Sequence, residues 1–186
     1  ANARATGGNS IYAIQEDRND DKQLTANMIL DTELSENIRL NTAVNYRKLK
    51  SENFAELQDL LGGTGYLDID FFADEGDDSV NEETLGTFAQ SDVRNRNRIV
   101  TEGERYKYNY EIDANVVSGF AQAQFKYNRV DFYLAGNISQ TSYQRNGLYE
   151  NGYFRGNRSF GKSEKLEYSN FGFKGGELSR LQAVIY

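Results

Sequence analysis

Residues 24–34 place Leu24, Ala26, Met28, Leu30, Thr32 and Leu34 on one parity and Thr25, Asn27, Asp31 and Glu33 on the other, with Ile29 the one exception. A strand sends successive side chains to opposite faces, so this is a two-faced ribbon and not a helix. The pattern recurs after Ser35-Glu36-Asn37, a connection of hairpin length. Ile38, Leu40, Thr42, Val44 and Tyr46 then oppose Arg39, Asn41, Ala43, Asn45 and Arg47.

From residue 50 to 105 the alternation disappears, far beyond an ordinary connection of about four to six residues. This stretch holds fourteen Asp and Glu against five Lys and Arg. Alternation returns with Tyr106, Tyr108, Tyr110, Ile112, Ala114 and Val116. At Val116-Val117 the phase changes, and Val117, Gly119, Ala121, Ala123, Phe125 and Tyr127 take over. One extra residue, a β-bulge in a continuous strand, produces such a slip; two separate strands are the alternative. Asn128-Arg129 suits a two-residue turn, after which Val130, Phe132, Leu134, Gly136 and Ile138 share a parity. A polar loop over 145–165 follows, then a strand bearing Phe171 and Phe173 that Gly175-Gly176 is expected to close. Leu181, Ala183 and Ile185 start a further strand, and the segment before Lys22 reads as loop with a strand fragment near residues 11–14.

Short and long connections thus alternate. That asymmetry predicts an all-β, antiparallel transmembrane β-barrel in a bacterial outer membrane, residues 1–186 forming part of one barrel domain. Residues 50–105 and 145–165 are its long extracellular loops. Mean hydropathy is -0.73, and no run reaches the roughly 18 apolar residues of a membrane helix. A barrel tolerates this, because only alternate strand residues meet lipid. A soluble β-sandwich binding module would alternate similarly. Long strands, the lack of charge on the apolar parity before Lys48, and aromatics near segment ends (Tyr46, Phe125, Tyr127, Phe132, Tyr143) favour lipid.

The chain has no Cys and no His, so thiolate chemistry, His-dependent triads and the usual zinc sites cannot be built from it. No catalytic constellation is visible; the chain reads as no enzyme and calls for no cofactor. Net charge -7 argues against nucleic acid as partner. Asp68, Asp70, Asp74 and Asp77 are calcium candidates by ligand type, without EF-hand spacing; the ordinary alternative is a solvated acidic surface. Arg94, Arg96 and Arg98 alternate so that an extended backbone would put three guanidiniums on one side, suited to carboxylate, phosphate or lipopolysaccharide. Pairing with the nearby acids is the competing role. Tyr106, Tyr108 and Tyr110 stand where the long loop meets its strand, placed either to stack on a ligand or to continue an aromatic girdle. Tyr149, Tyr153 and Phe154 are further aromatics of the same kind.

Residues 46–70 (YRKLKSENFAELQDLLGGTGYLDID), 120–127 (FAQAQFKY), 141–152 (TSYQRNGLYENG) and 159–162 (SFGK) resemble the barrel of Bacteroidota TonB-dependent receptors. The resemblance spans about residues 10–176 and includes loops. It implies a barrel of about 22 strands plugged by an N-terminal domain. It also implies import of a scarce metal chelate, glycan or peptide, energised by the TonB complex through parts outside this chain. Implied partners are outer-membrane lipid and lipopolysaccharide, a lipoprotein lid or other outer-membrane subunits. With six or seven strands visible and no plug recognisable, the chain is expected to be a segment of a longer receptor. A complete small barrel of about eight strands is the alternative. A barrel that serves as a structural subunit of an outer-membrane assembly is the competing function.

Overall fold

The computed structural model describes residues 8–70, 87–127 and 130–179. The expected turn Asn128-Arg129, the tail with Leu181, Ala183 and Ile185, and the calcium candidates Asp74 and Asp77 lie outside the described residues.

The fold is all-β and antiparallel. Its elements are β1 (Ile14–Ser35), β2 (Ile38–Asp59), β3 (Tyr66–Leu67), β4 (Ile99–Val100), β5 (Arg105–Tyr127), β6 (Val130–Gly147), β7 (Gly161–Lys162) and β8 (Leu166–Ser179), with one 3-10 turn at Gly156–Arg158. The main sheet runs β1-β2-β5-β6, with β7 and β8 both on β6; β3 and β4 form a separate pair. β6 and β8 are antiparallel from Val130↔Ser179 to Tyr143↔Leu166. Among the described residues this sheet is open rather than a closed barrel, β1 having β2 as its one neighbour. No described helix is long and apolar enough to cross a membrane, which says nothing of crossing by strands.

Three boundaries differ from those expected. β1 begins at Ile14, well before Leu24, and β2 continues through Asp59, so residues 50–59 are strand and not loop. β8 runs through Gly175-Gly176 instead of ending there. Gly176 faces Tyr133 across the ladder, and a Cβ at Gly176 would lie 2.7 Å from the Tyr133 ring. The glycine there makes room for an aromatic neighbour, as glycine within a strand often does for close approach.

The chain divides into two compact units: unit 1 comprises 1–22, 50–113 and 144–165, and unit 2 comprises 23–49, 114–143 and 166–186. Unit 1 has a core. Ala55 and Leu57 of β2, Leu60, Val100 of β4 and Tyr106 of β5 are buried together, with Tyr66 of β3 and Tyr108 of β5 packed against them. On the opposite parity of β2, Phe54 is buried beneath two guanidiniums, Arg105 at 3.7 Å and Arg18 at 5.3 Å from its ring centroid. Around it run ion pairs: Arg18 with Glu56 (3.3 Å) and Asp20 (2.8 Å), Glu52 with Arg105 (3.0 Å) and Lys22 (3.6 Å), and Lys50 with Glu111 (2.8 Å).

Unit 2 has no buried hydrophobic side chain among the described residues. It is a single layer with one apolar face. Thr42, Val44, Gly119, Ala121, Gly136, Ile138, Phe171 and Phe173 line one open hollow, in the parities read from the sequence. Pairing on that face sets small residues against large ones: Gly136↔Phe173 and Leu134↔Gly175. The other face is polar: Arg39 donates to both carboxylate oxygens of Asp31 (2.8 and 2.7 Å), and Asn45 donates to Ser118 (3.4 Å).

β5 is one uninterrupted strand through Val116-Val117. Even-numbered residues of β2 share a face with odd-numbered residues of β5 in unit 2 (Thr42 and Val44 with Gly119 and Ala121), and the same holds in unit 1 (Lys50 and Glu52 with Glu111 and Arg105). An inserted residue would break that relation. The phase change therefore replaces the expected bulge with a change of polarity: the parity that is apolar in unit 2 carries the charges in unit 1.

Candidate functional site

The concave feature of unit 1 that gathers expected ligand-binding residues is a cavity of about 210 Å³. Lys107, Tyr108, Asn109 and Tyr110 of β5 line it, with Arg145 of β6 and with Ser91, Tyr149, Asn151, Phe154 and Ser159 from the connecting segments. The chain after β6 is docked on β5 because Leu148 and Tyr149 both donate backbone N–H groups to the Asn109 carbonyl (2.9 and 3.3 Å). Tyr149 donates its hydroxyl to the Arg105 carbonyl (2.8 Å). Arg145 clamps the 3-10 turn by donating to the carbonyls of Ser159 (2.9 Å) and Arg158 (2.8 Å). Gly147 permits this closeness, since a Cβ there would sit 1.6 Å from the Ser159 oxygen. Aromatic rings beside amide and hydroxyl groups make a wall on which a flat or polyhydroxylated ring can stack and hydrogen-bond. The volume is below the roughly 300 Å³ at which drug-sized pockets begin, so it has room for one ring-sized group.

The three tyrosines part company. Tyr108 and Tyr110 line the cavity, their ring centroids 6.1 Å apart. Tyr108 is further held by donating to Asp17 (3.0 Å). Tyr106 is 3% exposed, packs edge-on against Tyr66 at 5.7 Å and donates its hydroxyl to Gln15. Burial pushes its hydroxyl up to about 12, with Tyr66, Asp17 and Asp68 adding to the effect. Tyr106 is thus a core residue, out of reach of a ligand at a mouth.

The three arginines do not converge either. Arg98 donates to Asp68 (2.9 Å), to the Tyr149 hydroxyl (2.9 Å) and to the Arg105 carbonyl, its guanidinium 5.2 Å from the Tyr149 ring centroid. Arg96 donates to the Thr87 hydroxyl (2.8 Å). Arg94 lies 4.1 Å above the Phe160 ring. Three separate partners replace the single cationic face that an extended segment would present. Turns break that extension: residues 93–97 are turns and bends, with Asn97 at φ 52°.

Asp68 explains why Arg98 is fixed. It is 3% exposed; one oxygen takes Arg98 and the other accepts the Lys107 backbone N–H (2.9 Å), where β5 adopts φ 62°. Both oxygens thus accept hydrogen bonds from the protein itself. Asp70 is the other described member of the expected set, and no group of three metal-ligating side chains gathers among the described residues.

Asn109, Arg145, Asn151 and Ser159 complete the cavity without having been singled out in the sequence. Their one advance signal is the clustering of Asn, Arg and Gly in 145–165. Compared with known protein families and with curated proteins, the chain matches none.

Proposed function

We propose that this chain is part of an outer-membrane β-barrel receptor that captures a scarce nutrient and passes it inward, energised by TonB as the resemblance implies. One observation carries the reading: unit 2 holds a two-faced sheet whose apolar side chains no described residue covers. Met28, Leu34, Leu134, Ile138, Phe171 and Phe173 are 59–87% exposed, with no buried hydrophobic residue beneath. Covering a side chain of this size is favourable by about 1.5–3 kcal/mol each, so such a face calls for an apolar environment. The apolar parity of β1 covers residues 24–34, matching the roughly 9–11 residues of a membrane-crossing strand. The Asp31–Arg39 pair on the other face suits a polar lumen. In this reading the aromatic cavity of unit 1 contributes to capture.

This chain has no Cys of its own, so labels introduced into it compete with none within it. Spin labels at Leu134→Cys and Ala135→Cys in the full-length protein, in lipid vesicles, should differ: oxygen-accessible at 134, nickel-accessible at 135. Equal nickel access, together with a monodisperse folded protein in detergent-free buffer, means a soluble sheet protein and ends the barrel reading. Transport is tested by growth of a deletion strain on single limiting metal chelates, glycans or peptides. Loss of growth on one of them supports import. Unimpaired growth with loss of a co-purifying membrane subunit points to a scaffold instead.

A further inference from the structure

We propose that the cavity of unit 1 binds a one-ring aromatic carboxylate, an anion of the benzoate class, without a metal. The site lies wholly within unit 1 and needs nothing of the barrel reading.

Charge narrows the ligand first. The chain carries a net charge of -7, yet the cavity lining includes Lys107 and Arg145 and no Asp or Glu. The Lys107 ammonium is drawn to Gln15 (2.8 Å), which leaves Arg145 as the cation for a ligand. Arg145 donates to the carbonyls of Ser159 and Arg158, and no carboxylate pairs with it among the described residues. Those carbonyls hold the guanidinium in place without cancelling its charge. Of the five N–H groups of a guanidinium, Arg145 spends two in this way, so donors remain for an anion.

Hydrogen bonding narrows it further. Ser91 lines the cavity, is 4% exposed, and its hydroxyl has no hydrogen-bond partner. It is not sealed in a core, because among the described residues the one fully buried side-chain atom without a partner is Arg98 Nε. The Ser91 hydroxyl therefore keeps contact with accessible space, and the cavity is the space it borders. The Asn151 amide nitrogen is unspent as well, its Oδ1 accepting the Tyr153 and Phe154 N–H groups (2.9 and 3.3 Å). The acceptors, by contrast, are largely taken. The Asn109 carbonyl accepts two backbone N–H groups and the Ser159 carbonyl accepts Arg145. The Ser159 hydroxyl accepts from Asn151 and donates to Phe154. A sugar ring brings a donor with every hydroxyl, and each one buried without an acceptor costs roughly tenfold in affinity. A carboxylate only accepts, so it matches a lining of spare donors. Flat aromatic faces from Tyr108, Tyr110 and Phe154 favour a planar ring beside it, and Phe154, 59% exposed, leaves the rim open. At about 210 Å³ the space takes one such ring.

Equilibrium dialysis of radiolabelled benzoate tests this, with the full-length protein in metal-stripped buffer and a polyoxyethylene detergent, corrected for uptake by detergent alone. A hydrogen bond to a charged group is worth roughly tenfold or more in affinity, so benzoate should bind at least that much more tightly than benzyl alcohol. Cyclohexanecarboxylate, which lacks the flat ring, should compete several-fold less well, and glucose and galacturonate should not displace the label. Ser91→Ala should weaken benzoate roughly tenfold. Arg145→Gln should erase the preference for benzoate over benzyl alcohol. Arg145 also holds the 3-10 turn, so if that variant does not fold, Ser91→Ala decides, since it removes no hydrogen bond that the protein makes. The proposal is overturned by any of four results: no benzoate bound, benzyl alcohol or cyclohexanecarboxylate bound equally well, displacement by either sugar, or full binding in Ser91→Ala. None of these outcomes bears on the spin-label test at positions 134 and 135, so the barrel reading fails or survives separately.

Discussion

Unit 1 and unit 2 are made by the same strands and stabilised by opposite means. In unit 1, Leu57 and Val100 have no accessible surface and Tyr106 almost none, and the charged residues on the other parity pair with one another. In unit 2 large apolar side chains stand exposed, Phe173 at 87% and Phe171 at 78%. The first is organised around a packed core, and the second leaves one apolar face uncovered by any described residue. A single rule about hydrophobic residues inside describes unit 1 and not unit 2, which is the contrast that the proposed barrel reading accounts for.

The sharpest way to break the contrast is to alter each unit at its most typical position. Leu57→Ala should destabilise unit 1 by about 2–5 kcal/mol through the cavity it leaves, read by urea titration in detergent and in vesicles alike. Leu134→Arg should cost about 2–4 kcal/mol in vesicles, read by folding into lipid, because it places a charge against hydrocarbon. Were unit 2 in water, the same change would be nearly silent, since Leu134 is already 59% exposed.

Smaller effects refine the picture of unit 1. Tyr106→Phe should cost about 1 kcal/mol for the lost hydrogen bond to Gln15. It should also flatten an alkaline slope. Tyr106 holds its proton up to about 12 when folded against 10.0 when unfolded, so stability is full below pH 10 and falls as pH rises towards 12. The smallest effect lies at the acid end. Hydrogen bonds from Arg105 to Glu52, and from Lys50 and Asn146 to Glu111, hold these carboxyls below their ordinary range. Their contribution is present above about pH 4.5 and lost as pH falls through the lowered values. Hydrogen exchange in β2 and β5 should report this loss, and Glu52→Gln should remove its share.

Alternation revealed the unit 2 halves of the strands because one parity there is nearly free of charge. It failed over 14–23 and 50–59 for a physical reason. Arg18, Asp20, Lys22, Lys50, Glu52 and Glu56 fill the parity that is apolar elsewhere, while Ala55 and Leu57 sit on the other. A search for a constant apolar face therefore ends where the polarity changes sides. Gly175-Gly176 misled for a different reason: the space next to Tyr133 is a cross-strand property that no local pattern encodes. At the site, Tyr108 and Tyr110 were visible as surface aromatics beside a loop. The fate of Tyr106 and Arg98 was not, because Gln15 and Asp68 reach them from 91 and 30 residues away in sequence. Opposite charges in the row announced neutralisation without saying which acid would meet which arginine.

β1 borders the described sheet, so along its outer side a row of peptide donors and acceptors over 22 residues has no described neighbour. Chains refolding together will compete for one another through that border, as exposed sheet edges do. Yield should fall as protein concentration rises, and a Lys or Pro introduced among the outward-facing amides of β1 should restore it only by sacrificing whatever strand normally zips there.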